Sequence, residues 1–199
     1  MAKLLLAYKT IVIKVIFEMK YQNTNSDYGL ISMLLHSIIA ICIMLMLVIG
    51  VLFSFHLPRE FFYISMSIHK SLGLTIIILM IIRVIWHLIN PYPSNINKKK
   101  SLQFYLSKFT HNLFYMVIFS ICLVGWIMSA AGGHKTYFWW LFNSTFPIKA
   151  NEKISSLGSS LHLILAWLLF LLIIVHIMGV IYHQFIKKDN IISRMFYIH

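Results

Sequence analysis

The chain has 199 residues, of which 60% are apolar and only 11% are charged. Soluble domains carry about a quarter charged residues, so this composition excludes an ordinary soluble protein and indicates a membrane protein. The formal net charge of +12 does not indicate nucleic-acid binding, because Lys and Arg lie between the long apolar segments rather than on one amphipathic surface.

The N-terminal residues 1–27 precede the first long apolar segment and form an extension to a domain over residues 28–199. Apolar residues and lysines alternate along residues 1–20, a pattern that fits an amphipathic helix at the membrane surface. A cleaved signal peptide fits less well, because lysines interrupt the apolar region and no small-residue cleavage site follows. Translation that begins at Met19 is a third interpretation, and the sequence leaves the choice open.

Four apolar segments follow, each long enough to cross a bilayer, which takes about 20 helical residues. Continuous apolar runs of this length predict helices rather than strands. The predicted fold is therefore an all-α membrane protein, a bundle of four transmembrane helices. The predicted spans are Leu30–Phe55, Ser65–Ile89, Phe109–Ala131 and Ser160–Phe185.

The distribution of Lys and Arg predicts the direction of the spans. By the positive-inside rule, the side with more basic residues is cytoplasmic, which places both termini in the cytoplasm of a bacterial inner membrane. The cytoplasmic set is Lys3, Lys9, Lys14, Lys20, Arg83, Lys98, Lys99, Lys100, Lys108, Lys187, Lys188 and Arg194, and the periplasmic set is Arg59, Lys70, Lys135, Lys149 and Lys153.

Two histidines in the fourth span, His162 and His176, are fourteen residues apart. At 100° per residue they face nearly the same way, about 21 Å apart along the helix axis. Two polar rings on one face of an apolar span indicate ligands of a buried metal or haem. An interhelical hydrogen bond is the ordinary explanation for a single such histidine.

The direction of each span gives both histidines a partner. His69 lies near the outer start of the second span, level with His162, and His36 lies near the inner start of the first, level with His176. Each pair comes from two helices, as bis-histidine ligation of a haem iron requires. His111, at the inner start of the third span, is a rival to His36.

Further residues fall near the same two levels. Arg83 lies fourteen residues after His69 and could pair with a haem propionate, or extend its side chain to the headgroups. His183 follows His176 on the same face and suggests a quinone or propionate contact, with an ordinary surface histidine equally compatible. Small residues near the histidines would let a flat macrocycle approach the backbone, although close helix packing also explains them; they are Gly50, Gly73 and Gly125.

The cysteines limit the type of cofactor. Cys42 and Cys122 lie in separate apolar segments, and no CxxCH motif is present, so the sequence does not indicate covalent c-type haem attachment. No Cys-rich zinc or iron–sulfur pattern occurs either.

The motifs around these histidines resemble the prokaryotic cytochrome b561 family. They are LLHS at His36, SIHKSLG at His69, SSLHLIL at His162, VHIMGVIYH at His176 and the tail KKDNIISRM, and the resemblance extends from Tyr28 to Met195. It implies two non-covalent b-type haems with these four histidines as iron ligands. The chain departs from its relatives at Tyr182–His183, where they often have two histidines, and in an aromatic-rich periplasmic loop.

The resemblance also implies a function. Family members transfer electrons from a periplasmic or membrane donor to quinone, and the chain is most similar to the short members that resemble superoxide oxidase, a superoxide:ubiquinone oxidoreductase. A haem-bearing anchor that conducts electrons for a partner redox subunit is the alternative within the family. A small transporter or structural protein without haem is the alternative outside it.

Overall fold

A computed structural model describes residues 21–91, 93, 102–189 and 192–193 of the chain. It has four long helices, α1 (Leu30–Leu52), α2 (Arg59–Ile89), α3 (Leu102–Ala131) and α4 (Glu152–Ile181), the last continuing into a π-helical turn, Tyr182–Lys187. All four are long and apolar enough to cross a membrane. The predicted four-helix bundle is confirmed, and the chain is a multi-pass membrane protein.

Some of the sequence predictions lie outside the described residues. They concern residues 1–20, Lys98, Lys99, Lys100 and Arg194. Both ends of the described chain lie on the same side of the bundle, because the number of spans is even. We call this the inner side and the opposite one the outer side.

Three helices begin earlier than their apolar runs predicted, because the polar residues that start a helix lie outside the run. α4 begins at Glu152, where the Asn151 side chain accepts a hydrogen bond of 3.0 Å from the Ile154 amide. α2 begins directly after Pro58 and carries Glu60 in its first turn, where a negative charge is favourable. The helices therefore extend beyond the spans that hydropathy alone identifies.

The apolar core of the bundle lies at mid-depth. On α4 the buried core residues are Leu169 and Leu172, between the two histidines of that helix. The other helices contribute from the same depth, with Cys122 on α3 fully within the core. An apolar layer thus separates the outer from the inner histidines; its members are Ile39, Ile43, Ile76, Met80, Val117, Ile118, Cys122, Leu169 and Leu172.

The outer loop between α3 and α4 contains a hairpin that the sequence did not predict. Strand β1 (Tyr137–Phe138) pairs antiparallel with β2 (Phe142–Asn143). Between them, Trp139 and Trp140 have left-handed φ angles of 46° and 62°. Such turns usually contain Asn or Gly, so a turn with two tryptophans cannot be recognised from its residue types.

Ser71 holds this hairpin against α2. Its hydroxyl donates a hydrogen bond to the Tyr137 carbonyl and accepts one from the Trp139 amide, both of 3.0 Å. The indole of Trp139 donates a further bond of 3.0 Å to Thr75, one turn along α2. Ser71 is completely buried and lies two residues from His69, so the hairpin braces the segment of α2 that carries this histidine.

Replacing Ser71 with alanine is expected to destabilise the protein by about 1–3 kcal/mol, because two backbone groups of the hairpin lose their partner. Unfolding in detergent would measure the change. Ser159→Ala is the matched control, since that hydroxyl donates to the Ser155 carbonyl of its own helix and, among the described residues, to no other group. Equal stability of the two variants would contradict the bracing role.

A second set of hydrogen bonds joins the helices at the inner side. The side chain of Asn23 accepts a bond of 2.8 Å from Ser32 at the start of α1, and donates bonds of 3.3 and 3.1 Å to the carbonyls of Asn90 and Pro91 after α2. Ser32 also accepts a bond of 2.9 Å from the indole of Trp86. The start of α1, which precedes His36 by little more than one turn, is thereby fixed to the end of α2.

Candidate functional site

The outer histidine pair joins α2 to α4. The ring centres of His69 and His162 lie 6.2 Å apart, with 63° between the ring planes. The ring of Phe53 meets His69 edge-on at 5.5 Å. The Nδ1 of His69 is buried and has no hydrogen-bond partner among the described residues. An unsatisfied buried nitrogen of this kind points to a partner other than a protein side chain.

The ring of His162 is oriented by α3. Its Nδ1 lies 3.0 Å from the carbonyl oxygen of Ile121. Because a carbonyl only accepts, Nδ1–H is the donor, and Nε2 is the nitrogen available to a ligand. The ring occupies the place where a side chain at Gly125 would begin, since a Cβ there would lie 2.9 Å from Cε1 of His162.

The inner histidine pair joins α1 to α4. The ring centres of His36 and His176 lie 6.4 Å apart, with 68° between the planes. Phe114 on α3 meets His176 edge-on at 5.5 Å. The structure therefore brings together the two histidines whose pairing helix direction predicts. Along α4 the two sites are about 21 Å apart.

His111 also reaches His176, with its ring centre 5.7 Å away. Its Nδ1 lies 2.7 Å from the carbonyl of Ser107, one turn earlier on the same helix, and 3.4 Å from the hydroxyl of that residue. Both candidate partners of His176, His36 and His111, therefore lie beside it. Of the two, His111 is hydrogen-bonded within its own helix.

The distances in both pairs suit a metal held between two imidazoles. A metal about 2 Å from a nitrogen of each ring, with about 1.1 Å from nitrogen to ring centre, separates the ring centres by about 6 Å. The observed separations are 6.2 and 6.4 Å. In the part of the chain that the structure describes, no group of three or more His, Cys, Asp and Glu side chains could hold a metal ion. The pairs therefore fit an iron whose other ligands come from a macrocycle.

Arg83 has a partner that the sequence analysis missed. Its Nε donates a hydrogen bond of 2.9 Å to the hydroxyl of Tyr115, and the ring of His87 meets the same tyrosine at 6.5 Å. Tyr115 lies one turn after His111, so helical spacing from that histidine could have identified it. A phenol hydroxyl does not neutralise a guanidinium, which leaves the positive charge available to an anionic group.

Tyr28 lies near Arg83, just before α1 begins. Burial raises the pKa of its phenol above the usual value, and the Arg83 charge offsets part of that rise. The phenol therefore keeps its proton at neutral pH.

The glycines near the two levels differ in their surroundings. A Cβ at Gly50 would have nothing within 4 Å, and one at Gly73 would meet only Met46 Cε at 3.7 Å. Gly125 differs from both, because its neighbour is the imidazole of His162. Open space beside the exposed Gly50 is compatible with a flat group that packs there, whereas the buried Gly73 is already in ordinary contact with Met46.

His183 lies at the start of the π-helical turn, seven residues after His176 and therefore on the inner side. Its Nδ1 is 2.7 Å from the Asp189 carboxylate, and its side chain is 27% exposed. On the outer side, Lys70 donates a bond of 3.2 Å to the carbonyl of Lys135. Lys149 and Lys153 are exposed in the same region of the chain.

Comparison with known proteins shows a similarity to one family over nearly all of the described chain. A family model described as prokaryotic cytochrome b561 matches residues 27–197. The chain is also similar to cytochrome b561 homolog 2 of Escherichia coli (strain K12), with 26% identity over 180 residues, which is 89% of this chain and 95% of that protein.

Proposed function

Because the chain belongs to the prokaryotic cytochrome b561 family, whose members transfer electrons across a membrane with haem b, we propose that it binds two b-type haems and reduces quinone. His69 and His162 hold the outer haem, and His36 and His176 hold the inner one. A one-electron donor reaches the outer side, and the membrane is the bacterial inner membrane.

The observation that carries the proposal is the pair of imidazole separations, 6.2 Å outside and 6.4 Å inside. Both match a bis-imidazole complex, and they occur at two depths of one bundle. When bound, a haem supplies an iron that accepts and releases one electron at a time. The paired imidazoles would hold the iron, and the protein supplies their orientation and the apolar layer between the two sites.

Other residues support the bound groups. Arg83, oriented by Tyr115, would provide the positive charge for a propionate of the inner haem. His111 and Phe114 form part of the wall beside His176. The open backbone at Gly50 would give the outer macrocycle room to pack, and at Gly73 the macrocycle would share the space with Met46.

At the inner end, reduction of a quinone to a quinol takes two electrons and two protons. The hydrogen-bonded pair of His183 and Asp189 is partly exposed, so it can take a proton from water and pass it on. Tyr28, protonated at neutral pH, is a second donor on this side.

At the outer end, the donor we favour is superoxide. Lys135, Lys149 and Lys153 are exposed and attract an anion toward the side on which His69 and His162 lie. The net reaction converts two superoxide ions, one quinone and two protons into two molecules of O₂ and one quinol. The protein is then a superoxide:ubiquinone oxidoreductase.

The second candidate function is an electron conduit for a partner redox subunit. The feature that favours it is the hairpin, where Trp140, Leu141 and Phe142 are 60%, 77% and 57% exposed. An exposed aromatic tip on the outer side is suited to docking a protein.

Purified chain in lipid nanodiscs with a ubiquinone analogue distinguishes the two functions. Superoxide generated enzymatically is expected to reduce the quinone in the wild type, to fail with His69→Ala, and to act normally on His56→Ala, an exposed histidine between α1 and α2. Activity that requires a co-purifying protein would support the conduit. Failure of chemically reduced wild type to reduce quinone would contradict both functions.

A further inference from the structure

The hydrogen bond made by His162 ends on a carbonyl that already has a partner. Within α3 the Ile121 carbonyl faces the amide of Gly125, four residues later. A side chain from another helix reaches such a carbonyl only if nothing covers it. A Cβ at Gly125 would lie 2.9 Å from Cε1 and 3.1 Å from Nδ1 of His162, so the missing side chain is what admits the ring.

This contact has a chemical consequence for a metal-binding imidazole. A carbonyl that accepts the Nδ1–H bond draws the proton toward itself and makes Nε2 a stronger electron donor. A stronger donor stabilises the oxidised iron and lowers the reduction potential. The bond between His162 and Ile121, 3.0 Å long, therefore acts on the outer site.

The inner histidine of the same helix, His176, lacks a hydrogen bond of this kind among the described residues. His176 touches the rings of His36, His111 and Phe114, and among the described residues its nitrogens have no carbonyl partner like that of His162. Arg83, fourteen residues after His69 on α2, lies at the inner level, and a nearby positive charge favours the reduced iron. The hydrogen bond of His162 at the outer site and the charge of Arg83 at the inner site both favour electron transfer from the outer to the inner site.

We propose that Gly125 is a positioning residue, which places His162 on the Ile121 carbonyl and thereby gives the outer haem the lower reduction potential of the two. Electron flow toward the quinone is then thermodynamically downhill. The inference rests on the proposed function, since it takes His162 as an iron ligand. It assigns to Gly125 a role different from that of a backbone surface against which a macrocycle packs.

The test is a spectroelectrochemical titration of purified Gly125→Ala beside the wild type. The methyl group is expected to displace the imidazole, so that the lower of the two midpoint potentials shifts upward or the outer haem alone is lost. The inner haem is the internal control, and Ser120→Ala, one residue before Ile121 on α3, is the matched variant expected to leave both potentials unchanged. Two haems at wild-type potentials in Gly125→Ala would overturn the proposal.

A second measurement uses the wild type and does not depend on the folding of a variant. In the ferrous protein labelled with ¹⁵N-histidine, an Nδ1 proton on one outer ligand that resists exchange into D₂O supports the bond to Ile121, and its rapid exchange contradicts it. Failure of the proposed function gives a different result, because a His162→Ala variant that keeps both haems would refute the ligand assignment itself.

Discussion

Replacing His162 with alanine is expected to remove the outer haem and to leave the inner one, so that the haem content per chain falls by half. The ring lies 6.2 Å from His69 and is oriented by α3 through Ile121, and a haem left with one imidazole loses half of its axial ligation. Pyridine haemochromogen assays on purified protein would measure the loss. Quinone reduction by an outer donor should stop, because the outer site has lost its cofactor.

His56→Ala is the control for this experiment, since it removes an exposed histidine from the outer side. It should retain both haems and full activity. Retention of both haems in His162→Ala would exclude this residue as an iron ligand.

The second large effect distinguishes His36 from His111 as the inner partner of His176. His36→Ala is expected to lose the inner haem, whereas His111→Ala is expected to keep both. The separation of 6.4 Å between His36 and His176 matches a bridging metal, and the shorter distance of 5.7 Å to His111 does not match it as closely.

The same haem assay, with reduced-minus-oxidised spectra, measures both variants. The opposite result, in which His111→Ala loses one haem and His36→Ala keeps two, would transfer the inner ligand from α1 to α3. Loss of a haem in both variants would show that His111 supports the site through its contact with His176.

Much of this arrangement could be predicted because helical periodicity is a property of the sequence. The fourteen residues between His162 and His176 set their common face and their separation, and the direction of the spans identified His69 and His36 as neighbours. The structure brings these pairs together, and the family is confirmed. Their role as iron ligands stays a prediction.

The remaining features depend on contacts between distant segments, which leave no periodic signal. The bond from His162 to the Ile121 carbonyl involves the backbone, so no residue type at position 121 marks it. The hairpin turn contains Trp139 and Trp140 in place of the usual Asn and Gly, and hydrogen bonds to α2 hold it in that conformation.

Three helices also begin earlier in the chain than the sequence predicted. Hydropathy detects the part of a helix that lies in lipid, whereas caps such as Asn151 determine where the helix begins. The early start of α4 places ten residues of helix before His162, among them Ser155, whose hydroxyl donates a bond of 3.2 Å to the Met128 carbonyl of α3. The longer helix therefore adds a contact that fixes α4 against α3 above the outer site.

The haem-to-protein ratio of the purified wild-type chain tests the central claim most directly. A pyridine haemochromogen assay combined with a reduced-minus-oxidised spectrum should give two low-spin b haems per chain, one for each histidine pair. A ratio of one would contradict the second site, and a colourless preparation from haem-replete cells would contradict the electron-transfer function altogether.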